Sequence, residues 1–209
     1  MPDLAGHGAR RGESFTYDGA LAEIAAEIAR AEQPPILVGD SLGGYLALAA
    51  AAAAGSGVAG VVAGGCTYPL RGLPGALSRV SDLAGDALVS SIGAERIERW
   101  LGRTFARLTA GLDARDDAPD IVARGFAVAM RGVTLRALLG RDFLALAARI
   151  VVPVIYVNGA WDYPIRLGER AFARATPHAR IAIAAGVGHG VGLTRPQAFA
   201  DAISALTRP

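Results

Sequence analysis

The sequence predicts an α/β fold, a mostly parallel sheet flanked by helices, on three observations. Apolar, β-branched runs of strand length recur at 36–38, 58–63, 151–157 and 181–185. Helix-forming stretches separate them, as parallel strands require, because each return to the same end of the sheet needs a crossover of a dozen or more residues. The first run leads straight through Gly39-Asp40-Ser41-Leu42-Gly43 into an uninterrupted run of helix formers, Tyr45 to Ala54. A strand, a Gly-x-Ser-x-Gly turn and a helix in that order form the context of a nucleophile elbow.

Taken along the chain, Tyr17 to Arg30 reads as an amphipathic helix, with Leu21, Ile24, Ala25 and Ile28 on one face and Glu23, Glu27 and Arg30 on another. Pro34-Pro35 ends the connection before the elbow strand. In the elbow, Gly39 and Gly43 are expected to be glycine because a β-carbon there would strike the neighbouring strand or helix. The turn would present the Ser41 hydroxyl at the N-terminus of a helix over Leu42–Ala54, where backbone N–H groups stabilise an anion. Gly55-Ser56-Gly57 then turns the chain into the strand Val58–Ala63.

The gap from Gly64 to Arg149 is far longer than one crossover helix requires. It reads as helical, with pieces expected at Ala94–Leu108, Ala118–Arg131 and Leu135–Leu139, broken by Gly-Leu-Pro-Gly at 72–75 and by the stretch from Asp113 to Pro119. Two sheet strands follow, at Val151–Val157 and Ile181–Ala185, and a closing helix over Gln197–Leu206. The expected organisation is therefore a core of residues 1–67 and 143–209, with 68–142 inserted as a helical unit.

A serine nucleophile at neutral pH needs a base within hydrogen-bond reach, and the base needs an orienting acid. The chain holds three histidines, His7, His178 and His189. His178 lies in a polar segment ahead of a strand and reads as a surface loop residue. His189 sits in Gly186-Val187-Gly188-His189-Gly190, at the end of the last strand and ahead of the closing helix, where it can swing over a nucleophile. The preceding strand runs into Asn158-Gly159-Ala160-Trp161-Asp162, which makes Asp162 the favoured acid; Gly-x-x-Asp is also good turn chemistry, the competing reading. The loop one strand earlier, Gly64 to Pro69, contains no acid.

Composition narrows the function classes. A hydrophobic share of 52% against 19% charge is that of a globular chain and not a disordered one. Net charge is only +2, and the 21 basic residues, all arginine, are scattered among acids, as in Glu95-Arg96-Ile97-Glu98-Arg99. No nucleic-acid footprint is therefore expected. One cysteine, Cys66, excludes an internal disulfide, and three dispersed histidines with it form no spaced metal site. Cys66 is expected to be a small, semi-buried residue. The uncharged run from Ser41 to Leu70 is mostly Ala and Gly and is interrupted at Gly55-Ser56-Gly57, so it reads as a buried helix and strand and not a membrane span. No signal-peptide pattern opens the chain, and a cytoplasmic location is expected.

Together these residues resemble the α/β-hydrolase superfamily, specifically its small esterase-like enzymes with a helical cap. Pro2-Asp3-Leu4-Ala5-Gly6-His7-Gly8 is similar to the family's Asp-x-x-Gly-His-Gly loop after the fourth strand. The resemblance implies a chain order of nucleophile, acid and base, hence Ser41, Asp162 and His189, with His7 structural. It implies the Leu42 backbone N–H as one oxyanion donor and places a cap at 68–142. In the family four strands precede the Asp-x-x-Gly-His-Gly loop, whereas here it follows Met1 directly. The expectation is thus an N-terminally truncated member, without the His-Gly loop that supplies a second oxyanion N–H. Its Ile36–Val38 strand would then be an exposed apolar edge, to be covered by a homodimer or another partner.

The function expected is a serine hydrolase acting on apolar carboxylic esters or related acyl bonds through an acyl-enzyme, with no cofactor and no metal. Tyr45, Tyr68, Trp161 and Tyr163 flank the site as candidate pocket residues. The alternatives are the same three residues serving carbon–carbon or thioester hydrolysis or perhydrolysis, and a catalytically impaired, hydrolase-like binding protein.

Overall fold

In the computed structural model, which describes residues 3–109 and 128–207, the apolar runs form four parallel strands. They are β1 (Ile36–Asp40), β2 (Gly60–Gly64), β3 (Val154–Gly159) and β4 (Ala179–Ala184), lying side by side in that order. β2 and β3 are buried along their whole length. β4 is largely open and exposes Ile181 and Ile183. β1 pairs only with β2 among the described residues and leaves Val38 exposed, so the apolar edge expected of this strand is present.

Strand ends differ from the sequence expectation for backbone reasons. β3 begins at Val154 and not Val151, because Pro153 has no N–H to give the ladder; its carbonyl instead accepts from the Val61 amide at 2.9 Å. It continues through Asn158 because that side chain finds polar company inside, donating to Thr67 Oγ1 at 3.1 Å and Glu169 Oε2 at 3.3 Å. Thr67 in turn donates to the Ile165 carbonyl, so this buried network ties the end of β2 to the segment just after Asp162.

Helix α1 spans Tyr17–Arg30 and α2 spans Leu42–Ala54, both as the sequence predicts. α2 is buried on nearly every side, with Leu48 and Ala51 wholly inaccessible; its alanine run lets the helix lie close on β1 and β2. α3 (Gly72–Ile92) departs from expectation. Gly-Leu-Pro-Gly opens this helix and does not break one, since Pro74 occupies the first turn, where a missing N–H costs nothing. α4 (Ala94–Thr109) matches the predicted helix there. α5 spans Val128–Leu138; the earlier part of the expected 118–131 helix lies outside the described residues. The chain continues with α6 (Phe143–Ala147), α7 (Tyr163–Arg166), α8 (Glu169–Ala175), α9 (Val191–Thr194) and α10 (Pro196–Thr207).

Two compact units result, one of residues 21–69 and 142–209 and the other of 1–20 and 70–141. The division differs from the expected one by grouping residues 1–20 with the inserted segment. Within that unit the Arg141 guanidinium lies 3.5 Å from the centre of the Tyr17 ring, a cation–π contact. α3 and α5 are joined by Arg136, which donates to the buried Asp82 at 2.8 Å and to Asp86 at 2.7 Å. Among the described residues no helix is long and apolar enough to cross a membrane, and no cluster of three potential metal ligands occurs.

Candidate active site

The site lies in the sheet-containing unit, at the C-terminal ends of the parallel strands, where open α/β sheets place their ligands. Ser41 follows β1 directly and holds φ 55°, ψ −115°, a backbone conformation that a side chain with a β-carbon rarely adopts. Its amide donates to the Gly64 carbonyl at the end of β2 (2.8 Å), and its carbonyl accepts from the Tyr45 amide (3.2 Å), so strand and helix both brace the turn.

Close packing requires glycine at Gly39, as expected, but not at Gly43. A β-carbon on Gly39 would stand 2.2 Å from the Gly43 carbonyl oxygen. At Gly43 it would meet nothing within 4 Å, which corrects the sequence expectation for that residue. The second tight position is Gly44, where a β-carbon would lie 2.7 Å from the Gly64 carbonyl oxygen and 2.8 Å from Cys66. Cys66 itself is fully buried, more than the semi-buried residue expected, and burial pushes its thiol pKa well up, leaving it protonated and unreactive.

The structure brings Ser41, His189 and Asp162 into one hydrogen-bonded chain. His189 Nδ1 lies 2.7 Å from Asp162 Oδ2, and its Nε2 lies 2.8 Å from Ser41 Oγ. Because Asp162 can only accept when ionised, the ring carries its proton on Nδ1, and Nε2 is left to accept from the serine hydroxyl. Asp162 is buried while the imidazole is half-exposed. Burial alone would lower the His189 pKa, but the hydrogen bond and charge of Asp162, with the charge of Asp40, outweigh it and raise the value above 6.5. The loops carrying Asp162 and His189 are laced together: the Trp161 amide donates to the Val187 carbonyl (3.0 Å) and the Ala160 amide to the Ala184 carbonyl (2.9 Å).

Leu42 is the first residue of α2, and amides in the first turn of a helix have no partner within it. Of the aromatic candidates, Trp161 and Tyr163 bracket Asp162 and are largely exposed. Tyr45 is a core residue: its ring packs 4.7 Å from that of Phe143, and its hydroxyl donates to the Tyr68 carbonyl at 2.7 Å. Tyr68 is half-buried. His178 is an exposed turn residue with φ 56°, and His7 lies in the other unit with Nδ1 3.1 Å from the Ala5 carbonyl.

Asp40 enters the site without having been singled out from the sequence. Its Oδ2 accepts the Gly192 amide at 3.0 Å, while its Oδ1 is buried with no hydrogen-bond partner. Burial raises its carboxyl pKa, and the Gly192 hydrogen bond opposes this. The available signal was a carboxylate within Gly-x-Ser-x-Gly, at a position that the elbow turns inward.

A profile described as the alpha/beta hydrolase family matches residues 1–202. The chain is 29% identical over 210 residues to a pimeloyl-[acyl-carrier protein] methyl ester esterase of Xanthomonas axonopodis pv. citri, spanning 97% of this chain and 81% of that one. Among solved structures, MenH from S. aureus superposes with a TM-score of 0.74 at 17% identity, over 98% of this chain and 80% of MenH. An E-2-(acetamidomethylene)succinate hydrolase gives 0.70 at 23%, over 98% and 79%. At these identities the structural likeness speaks for the fold alone.

Proposed function

The chain belongs to the alpha/beta hydrolase family, and on that premise we propose that it is a serine hydrolase cleaving carboxylic esters through an acyl-enzyme. The observation that carries this is the continuous chain Asp162–His189–Ser41, with both links within 2.8 Å, ending on a serine in a strained elbow. His189 Nε2 takes the Ser41 proton as Oγ attacks the ester carbonyl, and the resulting imidazolium is held by Asp162. The oxyanion of the tetrahedral intermediate is stabilised by the Leu42 amide at the N-terminus of α2. As the intermediate collapses, the proton passes from His189 to the departing alcohol, leaving the acyl group on Ser41. A water then repeats the sequence, giving its proton to His189 and releasing the carboxylic acid.

A carboxylic ester is the substrate class that fits the methyl ester esterase among the relatives; we take the ester to be apolar, and the 68–142 segment is assigned the role of a cap that selects the acyl or alcohol group. The test is direct. The wild-type chain should hydrolyse a short p-nitrophenyl ester and be labelled by a fluorophosphonate, and Ser41→Ala should lose both. Labelling that persists in Ser41→Ala would exclude Ser41 as the nucleophile, and a wild-type chain inert in both assays would exclude the reading.

A further inference from the structure

We propose that Asp40 is a positioning residue for His189: it pins the loop that carries the base and supplies a second carboxylate charge to the imidazole. This rests on the assignment of His189 as the base, and its geometry is independent of any substrate. Gly192, whose amide donates to Asp40 Oδ2 at 3.0 Å, lies three residues after His189. The bond spans 152 residues of chain and joins the end of β1 to the first turn of α9. The residue preceding the nucleophile therefore holds the segment that follows the base, and the two reacting groups share one anchor.

The other carboxylate oxygen and the ring have Gly65 as a common neighbour. A β-carbon on Gly65 would stand 3.0 Å from His189 Cε1 and 3.1 Å from Asp40 Oδ1, so both groups border the same small space above that glycine. A β-carbon on Gly64 would lie 2.9 Å from the same Oδ1. The pair Gly64-Gly65 thus leaves room for the carboxylate, and larger side chains would fill it. Oδ1 is buried without a hydrogen-bond donor. An orphaned buried carboxylate oxygen is costly to keep, and the cost is offset when a cation forms next to it. His189 becomes that cation each time it takes the serine proton. The charged groups acting on the ring are the carboxylates of Asp162, from the end of β3, and Asp40, from the end of β1. Asp162 orients the ring through Nδ1, while Asp40 contributes charge without a hydrogen bond to it.

The experiment compares wild type with Asp40→Asn and Asp40→Ala. The carboxamide oxygen of Asp40→Asn can still accept the Gly192 amide but carries no charge, whereas Asp40→Ala removes both. The His189 imidazole is titrated by NMR, with His189→Gln used to assign its signal, and hydrogen exchange is followed at the Gly192 amide. His189 should titrate at lower pH in both variants, and Gly192 exchange should accelerate in Asp40→Ala while staying slow in Asp40→Asn. With a p-nitrophenyl ester, the acid limb of kcat/KM should move down with the titration. The plateau kcat of Asp40→Ala should fall about tenfold, the worth of one hydrogen bond, with most of it recovered in Asp40→Asn.

An unmoved His189 titration in Asp40→Asn would overturn the electrostatic role. Equal Gly192 exchange in wild type and Asp40→Ala would overturn the pinning role. If Asp40→Ala does not fold, Asp40→Asn decides the charge and a Gly192→Pro chain, which lacks the amide, decides the pin through the plateau kcat and the His189 line width. A wild-type chain that neither hydrolyses nor labels defeats the serine-hydrolase reading, while the titration and exchange data still decide the role of Asp40.

Discussion

Replacing Gly43 and Gly44 separately by alanine tests whether the elbow is built as the structure indicates. The two residues are adjacent in the first turn of α2, and each would gain the same methyl group. At Gly43 that methyl meets nothing within 4 Å, so the change acts through helix propensity and the unfolded chain and should stabilise by about 0.5 kcal/mol. At Gly44 it would press to 2.7 Å on the Gly64 carbonyl oxygen and to 2.8 Å on Cys66. Neither neighbour can swing away, since one is sheet backbone and the other a short, fully buried side chain. Overpacking of this kind costs about 2–3 kcal/mol. The variants should thus differ by about 3 kcal/mol, which for a chain of this size corresponds to roughly 6–12 °C in Tm. Thermal unfolding followed by circular dichroism reads the difference. The same clash would displace the Ser41 turn, whose amide is bonded to that very Gly64 carbonyl. Because a 1 Å misplacement of a reacting group costs about a hundredfold, Gly44→Ala should also lose most esterase activity. If Gly43→Ala is as destabilised as Gly44→Ala, the packing argument for the elbow is wrong.

Asp162→Asn should keep the fold and reduce kcat by about 10⁴-fold, because the carboxamide can hold the ring in the wrong tautomer; steady-state kinetics on a p-nitrophenyl ester measure it, and a loss under tenfold would remove Asp162 from its role. In the wild type, kcat/KM should rise with pH through a His189 pKa lying above 6.5, since in the proposed mechanism the neutral ring takes the serine proton and the two carboxylates favour its charged form. The same shift has an opposite sign for stability. The contribution of His189 to folding is full below about 6.5 and is lost as pH rises through the raised value, so the fall in stability across neutral pH should be shallower in His189→Gln, as denaturant titrations at several pH values would show.

Much of this arrangement is local and therefore legible in sequence. A strand, a Gly-x-Ser-x-Gly turn and a helix lie within 20 residues, and the structure reproduces α2 over Leu42–Ala54 residue for residue. His189 and Asp162 were readable because each follows an apolar strand directly and the chain has only three histidines to choose from. Other features depended on contacts between distant segments. Gly39 is required by a contact within the elbow and was legible there, whereas the requirement at Gly44, where local pattern pointed to Gly43, is decided by Gly64 and Cys66 some 20 residues away. Pro74 between two glycines has the look of a break, but in the first turn of α3 it is compatible with a helix. The grouping of residues 1–20 with 70–141 rests on side chains such as Arg141 on Tyr17, separated by more than 120 positions.

Asp40 shows why a site can be half-visible in sequence. Ser41, Asp162 and His189 are recognised by residue type, because few side chains can perform their roles. Asp40 is recognised only by what it reaches. Aspartate next to a nucleophile is ordinary turn chemistry until Gly192 is found donating to one of its oxygens and the other is found buried without a partner. The parallel register places Asp40 opposite Gly64 at the C-terminal edge, and the step from β1 into α2 turns its side chain toward the loop that brings His189 back. Residues that hold a reacting group in place are specified by topology, so the sheet register and the loop contacts must be known before such a residue can be told from a turn former. The physical consequence is that Ser41 and His189 are linked through Asp40 as well as through their own hydrogen bond, and a change at Asp40 should be felt at both.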